Sequence, residues 1–172
     1  MTIKANLTSE KITSNTAEAQ NLFSTRRFGE KDGEKILYSI FETLFLIQDK
    51  KMEIHDFRDK KLTKKEILKR FEKIDKKFHT KYLVFKDLRK KGYIVKTALK
   101  FGAEFRVYEK GTKVGKSHSK WICFPVSQRE VSTWQDFVAK NRVAHSTKKN
   151  LLIAIVDDEG DISYFEIKWT RT

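Results

Sequence analysis

Three side chains in the second half of the chain are of the types that move protons and balance charge: Tyr108, His118 and Lys149. A phenol and an imidazole can serve as general base and general acid, and an ammonium can offset charge that develops in a transition state. Each also has an ordinary reading. Tyr108 ends a segment of strand character, FRVY, where a tyrosine can simply pack its ring and leave the hydroxyl at the surface. His118 lies between Ser117 and Ser119 in a Gly- and Lys-rich loop, Lys110 to Lys120, where a histidine is not filling a core. Lys149 falls near the expected end of a helix, where a cation is favoured for stability alone. What joins the three is their local wording: FRVYEKG, then HSKW with its histidine ten residues after the tyrosine, then RVAHSTKKNLLIAIVD.

The elements that must position them follow from apolar periodicity and capping signals. The first thirty residues are polar and weakly patterned, with room for a short strand or two and no readable chemistry. Lys35 to Ile47 (KILYSIFETLFLI) places Ile36, Ile40 and Leu44 at helical spacing and predicts a buried helix. After the strand-like MEIHDF, Thr63 with Glu66 predicts a capping-box start to a helix reaching about His79. Its apolar stripe is Ile67, Phe71, Ile74 and Phe78, and its lysines read as a solvated face. Another helix, Tyr82 to Lys91, ends at Gly92. From Tyr93 the pattern turns to strands, YIVKTAL, EFRVYE and WICFPV, and Pro125 predicts an edge position for the last. A helix from a Ser132 cap to about Lys149 follows, then LLIAIV and ISYFEIKW around the turn DDEGD. On such a helix Arg142 and Lys149, seven apart, would share a face, with His145 between them hydrogen-bonding to position the lysine. The fold class is α+β: a small helical and mixed N-terminal domain, 1–80, and a C-terminal mixed α/β domain with a central β-sheet, 81–172.

Charge points to the partner. The 37 Lys and Arg against 23 Asp and Glu give a formal +14 and a pI near 9.8, a field that favours polyanions. Composition alone does not separate nucleic acid from an anionic membrane surface, and lysine enrichment also accompanies thermal stability. No apolar stretch exceeds Leu151 to Val156, far below the roughly 20 residues of a membrane span. The start of the chain lacks an apolar signal core, so a cytoplasmic location is expected. The single cysteine, Cys123, excludes an intramolecular disulfide and reads as a buried small hydrophobe.

From about Tyr82 (YLVFKDLRKKGYIVKTALKFGAEFRVYEKG) to the C-terminus, the chain resembles the archaeal tRNA-splicing endonuclease family, as a catalytic subunit. The resemblance implies a C-terminal nuclease domain that cleaves precursor tRNA at both intron boundaries in a bulge-helix-bulge, with no metal or other cofactor. It implies Tyr108 as base, His118 as acid and Lys149 as electrostatic stabiliser, giving 2′,3′-cyclic phosphate and 5′-hydroxyl ends. The AHS before the lysine and LLIAIVD after it select Lys149 over Lys148. That division of labour is chemically coherent, because RNA carries its own nucleophile in the 2′-hydroxyl. A tyrosine base needs help, since an unperturbed phenol titrates near about pH 10, and a neighbouring cation favours the ionised form. The family's substrate-gripping arginine falls on Arg142, whereas its second, near the C-terminus, has no secure match, with Arg171 and Trp169 as the candidates. The acidic turn Asp157, Asp158, Glu159 and Asp161 corresponds to a loop that docks into a neighbouring pair of subunits, and the final strand to one that pairs chains. The implied assembly is a homotetramer, or two copies with two of a structural paralogue.

Other readings compete. Asp157 or Asp158 followed by Glu166-Ile167-Lys168 mimics the acidic residue and ExK of a restriction-type nuclease, which would bind magnesium. A noncatalytic RNA-binding or structural subunit of the same complex is a further alternative, against which the complete triad argues. A zinc site from His118, His145 and Cys123 lacks paired ligand spacing.

Overall fold

A computed structural model describes residues 2–112, 115 and 117–171. The chain divides into two compact units, Met1–Phe78 and His79–Thr172, each built on its own five-stranded sheet.

The first unit opens with β1 (Ile3–Thr8), whose strict alternation turns Ile3, Ala5 and Leu7 inward, and β2 (Lys11–Ser14). Helix α1 (Ala17–Arg26) follows, capped by Thr16, whose hydroxyl accepts from the Ala19 amide at 3.3 Å. The sequence reading missed this helix, because Ala19 alone of its residues is buried and no apolar stripe marks it. β3 (Glu30–Asp32) and β4 (Lys35–Tyr38) form a hairpin whose second strand pairs with β2, and β5 (Met52–His55) pairs in parallel with β1, giving the order β3-β4-β2-β1-β5. The helix expected over 35–47 is therefore two elements. Lys35–Tyr38 is strand, and α2 (Ile40–Gln48) starts only after Ser39, which forms a capping box with Glu42. Glu42 is buried and its carboxylate also accepts the Gly29 amide at 2.9 Å. Gly29 has φ +77°, and a Cβ there would stand 2.2 Å from Ile36 Cγ2, so the chain passes β4 only without a side chain.

Helix α3 (Lys64–Ile74) begins at the capping box of Thr63 and Glu66 read from the sequence. It stops at Asp75 rather than near His79: the Asp75 carboxylate accepts the Lys77 amide at 2.9 Å and its carbonyl accepts the Phe78 amide at 3.0 Å. That local aspartate turn competes with the helical ladder. Helix α4 (Phe78–Lys90) then starts four residues earlier than the Tyr82 expected. Phe78, at its first position, stacks on Phe41 and tilts against Phe71.

In the second unit β6 (Ile94–Thr97), a 3-10 turn (Leu99–Phe101), β7 (Phe105–Tyr108), β8 (Trp121–Ser127), helix α5 (Trp134–Ser146), β9 (Asn150–Val156) and β10 (Ile162–Ile167) follow α4. The sheet order is β10-β9-β8-β7-β6, antiparallel except for the β8–β9 pair. β8 is thus central, contrary to the edge position predicted from Pro125. The proline is tolerated because β7 pairs with β8 only from Trp121 to Cys123, leaving Pro125 with a neighbour on the β9 side alone. Alternation sends Phe105 toward Phe85 of α4, with ring centroids 5.9 Å apart. The opposite face, including Ile122, Phe124 and Leu151, packs with Ala144, Phe137 and Val143 of α5. The cap of α5 is Thr133, not Ser132, because Asp136 stands three residues after Thr133 and closes a capping box. Helix α5 ends at Ser146, so Lys149 lies beyond it.

Candidate active site

Tyr108 is the last residue of β7, paired across from Ile94 and buried. Strand pairing places Val107, Trp121 and Asn150 in one row across β7, β8 and β9. Tyr108 and Lys149 each lie one residue beyond that last paired row, on β7 and just before β9. Two interstrand spacings separate Tyr108 from Lys149, roughly 10 Å between their backbones. By alternation both lie on the α5 face, the face of Ile122 and Leu151.

The backbone at Lys149 is pinned from two sides. The Thr147 amide closes α5 on the Val143 and His145 carbonyls, Lys148 takes a left-handed conformation (φ 57°), and the Lys149 amide donates to the Ala144 carbonyl at 2.9 Å. The following Asn150 amide donates to the Lys120 carbonyl at 3.0 Å, starting the β8–β9 ladder. This turn separates the adjacent lysines: Lys148 is exposed, whereas Lys149 is half-buried, its ammonium donating to the Thr147 carbonyl at 3.1 Å and lying 5.9 Å from the Phe101 ring centre. Burial, helped by the Arg106 charge, lowers the Lys149 pKa below the ordinary lysine range.

His118 is exposed in the loop between β7 and β8. Lys113, Val114 and Lys116 of that loop lie outside the described residues. The loop is fixed at its far end, where the Lys120 amide donates to the Val107 carbonyl at 2.9 Å. Among the described residues no hydrogen bond links the side chains of Tyr108, His118 and Lys149 directly.

Two neighbours escaped the sequence reading. Arg106 shares the α5 face with Tyr108, donates from Nε to the Thr97 carbonyl at 3.1 Å, and stacks its guanidinium 5.7 Å from the Phe101 centre. The alternation in FRVY was a signal for it. Ser119 is 6% exposed and its hydroxyl has no hydrogen-bond partner among the described residues. A buried hydroxyl of this kind usually finds one, so its position beside His118 is unusual.

Arg142 is exposed on α5, and because α5 ends at Ser146 it does not share a continuous helical face with Lys149. His145, expected to hydrogen-bond the lysine, instead stacks its ring on Trp169 at 4.9 Å between centres. Of the two C-terminal candidates, Trp169 rests on α5, one turn from Arg142; Arg171 is exposed.

The acidic turn has divided roles. The Asp157 carboxylate accepts the Glu159 and Asp161 amides at 2.9 and 2.8 Å, building the turn itself. Asp158 pairs with Arg129 at 2.6 Å, which lowers its pKa below the usual carboxylate range. Glu159 and Asp161 are exposed.

The restriction-type alternative fails on geometry. Glu166 lies near the far end of β10, five residues beyond Asp161 and so roughly 16 Å from the turn. Its carboxylate accepts from Asn150 Nδ2 at 2.6 Å and Trp121 Nε1 at 3.0 Å, which lower its pKa. A zinc set is likewise scattered: Cys123 is fully buried in mid-β8, where burial raises its thiol pKa, while His145 lies on α5 and His118 in the loop.

Comparison with known proteins gives matches to both units. The family described as tRNA intron endonuclease, catalytic C-terminal domain, matches residues 78–164, and its N-terminal domain matches residues 3–68. A tRNA-splicing endonuclease of Pyrococcus abyssi is 39% identical over 166 residues, covering 96% of this chain and 95% of the relative. One from Nanoarchaeum equitans is 43% identical over 138 residues, covering 77% and 88%, and one from Methanothermobacter thermautotrophicus is 35% identical, covering 91% and 90%.

Proposed function

Because the chain belongs to the tRNA intron endonuclease family, we propose that it is a catalytic subunit that cuts precursor tRNA at both intron boundaries within a bulge-helix-bulge. The observation that supports this reading is that Tyr108 and Lys149 stand one residue beyond the last paired row of β7, β8 and β9, on the α5 face by alternation, with His118 exposed in the loop that joins β7 to β8.

Tyr108 removes the proton of the 2′-hydroxyl on the nucleotide 5′ to the cut. The freed oxygen attacks the adjacent phosphorus and closes a 2′,3′-cyclic phosphate. The bond from phosphorus to the 5′-oxygen breaks, and His118 supplies the proton that oxygen needs to leave as a hydroxyl. Negative charge rises on the nonbridging oxygens at the transition state, and Lys149 is suited to offset it. A cation already stripped of part of its water needs little reorganisation when that charge appears. The chemistry uses no metal ion. Arg142 stacks on a base splayed from a bulge, since guanidinium planes and unpaired bases match in shape and polarity. Trp169, whose ring stacks on His145, is our second candidate for that contact.

One chain carries one such site, so two cuts require at least two chains. We read the assembly as four subunits, a homotetramer or two copies with a structural paralogue, with the outward carboxylates Glu159 and Asp161 at a basic cleft of the neighbouring pair. Incubating the purified chain with a bulge-helix-bulge precursor in excess chelator tests the reaction. Two cuts with 2′,3′-cyclic phosphate and 5′-hydroxyl ends are expected; a 3′-hydroxyl and 5′-phosphate, or cleavage restored only by magnesium, would overturn it.

A further inference from the structure

The positive charge of the N-terminal unit is concentrated on one helix and the loop before it. Residues 58–77 hold ten Lys and Arg against four Asp and Glu, whereas residues 1–57 hold eight against nine. Lysine enrichment for general stability would spread over the surface, and this does not. Helical periodicity sorts it further. Ile67 and Phe71 of α3 are buried, and Lys65, Lys69 and Lys73, at steps of four, run along the opposite exposed face. Lys64, Arg70 and Lys76 flank them, also exposed. Glu66 is turned back to its cap, accepting from the Thr63 amide at 2.7 Å and hydroxyl at 2.8 Å. Several lysines outside α3 are paired within the chain: Lys61 with Glu53 and Lys4 with Asp59, each at 2.6 Å, Lys51 with Asp49 at 2.9 Å, and Lys60 with Glu66 at 3.8 Å. Among the described residues Lys65, Lys69 and Lys73 have no such carboxylate.

A second feature adjoins the stripe. Phe57 is 77% exposed, with the Arg58 guanidinium 5.1 Å from its ring centre. The loop that displays it is rigidly bonded: the Asp56 carboxylate accepts the Arg58 and Lys60 amides at 2.8 and 3.0 Å, and the Asp56 amide donates to the Lys60 carbonyl at 2.9 Å. Holding a whole phenyl ring in water on a fixed loop forgoes the gain of burying it. A fixed ring with a guanidinium beside it is, however, a stacking platform for an unpaired base.

We infer that residues 57–76 form an RNA-binding face, in which Lys65, Lys69 and Lys73 track a phosphate backbone and Phe57 with Arg58 takes an unstacked base. The naming of precursor tRNA as its ligand rests on the proposed function; the face is a second hold on the RNA, carried by the unit that does not contain Tyr108, His118 and Lys149. RNA is favoured over an anionic membrane because the apolar side of α3 is committed to the core at Ile67 and Phe71 and has nothing to insert into lipid.

The test compares the full-length wild type with the K65Q/K69Q/K73Q triple variant and with Phe57→Ala, all at exposed positions, with thermal melts to show that the fold is kept. Binding to precursor tRNA is measured across a salt series, and cleavage under saturating enzyme. The triple variant should bind at least about tenfold more weakly near physiological salt, with the slope of log affinity against log salt reduced by about 2 to 3. Phe57→Ala should lose about tenfold without changing the slope. Both should cleave at the wild-type rate once saturated. Unchanged affinity and slope in the triple variant overturn the inference, as does lysine-dependent sedimentation with phosphatidylserine–phosphatidylcholine vesicles while RNA affinity stays unaltered. The two readings fail separately: a wild type that binds RNA through the stripe but cuts nothing keeps the face and loses the nuclease, whereas a wild type that cuts while the triple variant binds normally loses the face alone.

Discussion

The two units use positive charge in opposite ways. In the C-terminal unit the cation we propose for the reaction is fixed to a point: Lys149 is half-buried and its backbone is held by α5 on one side and β8 on the other. In the N-terminal unit the cations form a field, several exposed lysines along α3 with only the helix to order them. A point charge in chemistry must be within reach of one atom at one moment, so it needs a pinned backbone. A field that gathers a polyanion tolerates long, mobile side chains. Substitutions in the first region should therefore change rate, and those in the second affinity.

The largest effects are expected at the triad. His118→Ala should slow single-turnover cleavage by at least about a hundredfold, the range for loss of a proton-transfer group, with RNA affinity nearly unchanged. Tyr108→Phe and Lys149→Ala should fall in the same range. The sharpest contrast is with the neighbouring residue: Lys148→Ala, on the exposed side of the turn, should leave the saturated rate close to wild type. A damaging Lys148→Ala beside a mild Lys149→Ala would reverse the register.

A smaller loss is expected at Arg142, on the exposed side of α5 and outside the core. Arg142→Ala should reduce cleavage of bulged precursor by about tenfold, consistent with one lost stacking contact, while the melting temperature stays within a degree or two. A cooperative loss of fold would make it a structural residue and remove it from the substrate contacts.

The smallest effect on chemistry is expected at the acidic turn. Glu159→Lys with Asp161→Lys should convert a tetramer to dimers by light scattering, leaving the secondary structure intact. Asp157 is unsuitable for that test because its carboxylate builds the turn, and Asp158 because Arg129 already holds it. A tetramer that persists in moderate salt would remove these carboxylates from the docking contact.

The regions differ also in how far their sequence could be read. Tyr108, His118 and Lys149 stand in short motifs, FRVYEKG, HSKW and RVAHSTKKNLLIAIVD, so the resemblance singles them out without any knowledge of where elements stop. What periodicity could not give was where elements stop. A helical pattern over 35–47 outweighed the Ser39 cap signal, although the Ser39–Glu42 pair was present in the letters. The break at Asp75 comes from a side-chain turn that an apolar stripe through Phe78 conceals. The early end of α5 removed the shared face expected for Arg142 and Lys149, yet the same turn separates Lys148 from Lys149 in exposure. Pro125 misled because a central strand can be paired over only part of its length on one side. Alternation in FRVY puts Arg106 on the face of Tyr108, but its contacts with Thr97 and Phe101, like the burial of Ser119, appear only once the sheet is assembled.

The most direct measurement replaces the ribose at each cleavage position of a bulge-helix-bulge precursor with 2′-deoxyribose and follows single-turnover cleavage by the wild-type chain in excess chelator. The account predicts unaltered binding and no detectable cutting at the modified positions, while the all-ribose precursor is cut to 2′,3′-cyclic phosphate and 5′-hydroxyl ends. Cleavage of the deoxy-substituted RNA at a comparable rate would contradict it, because the attacking oxygen would then come from water and Tyr108 would have no 2′-proton to take.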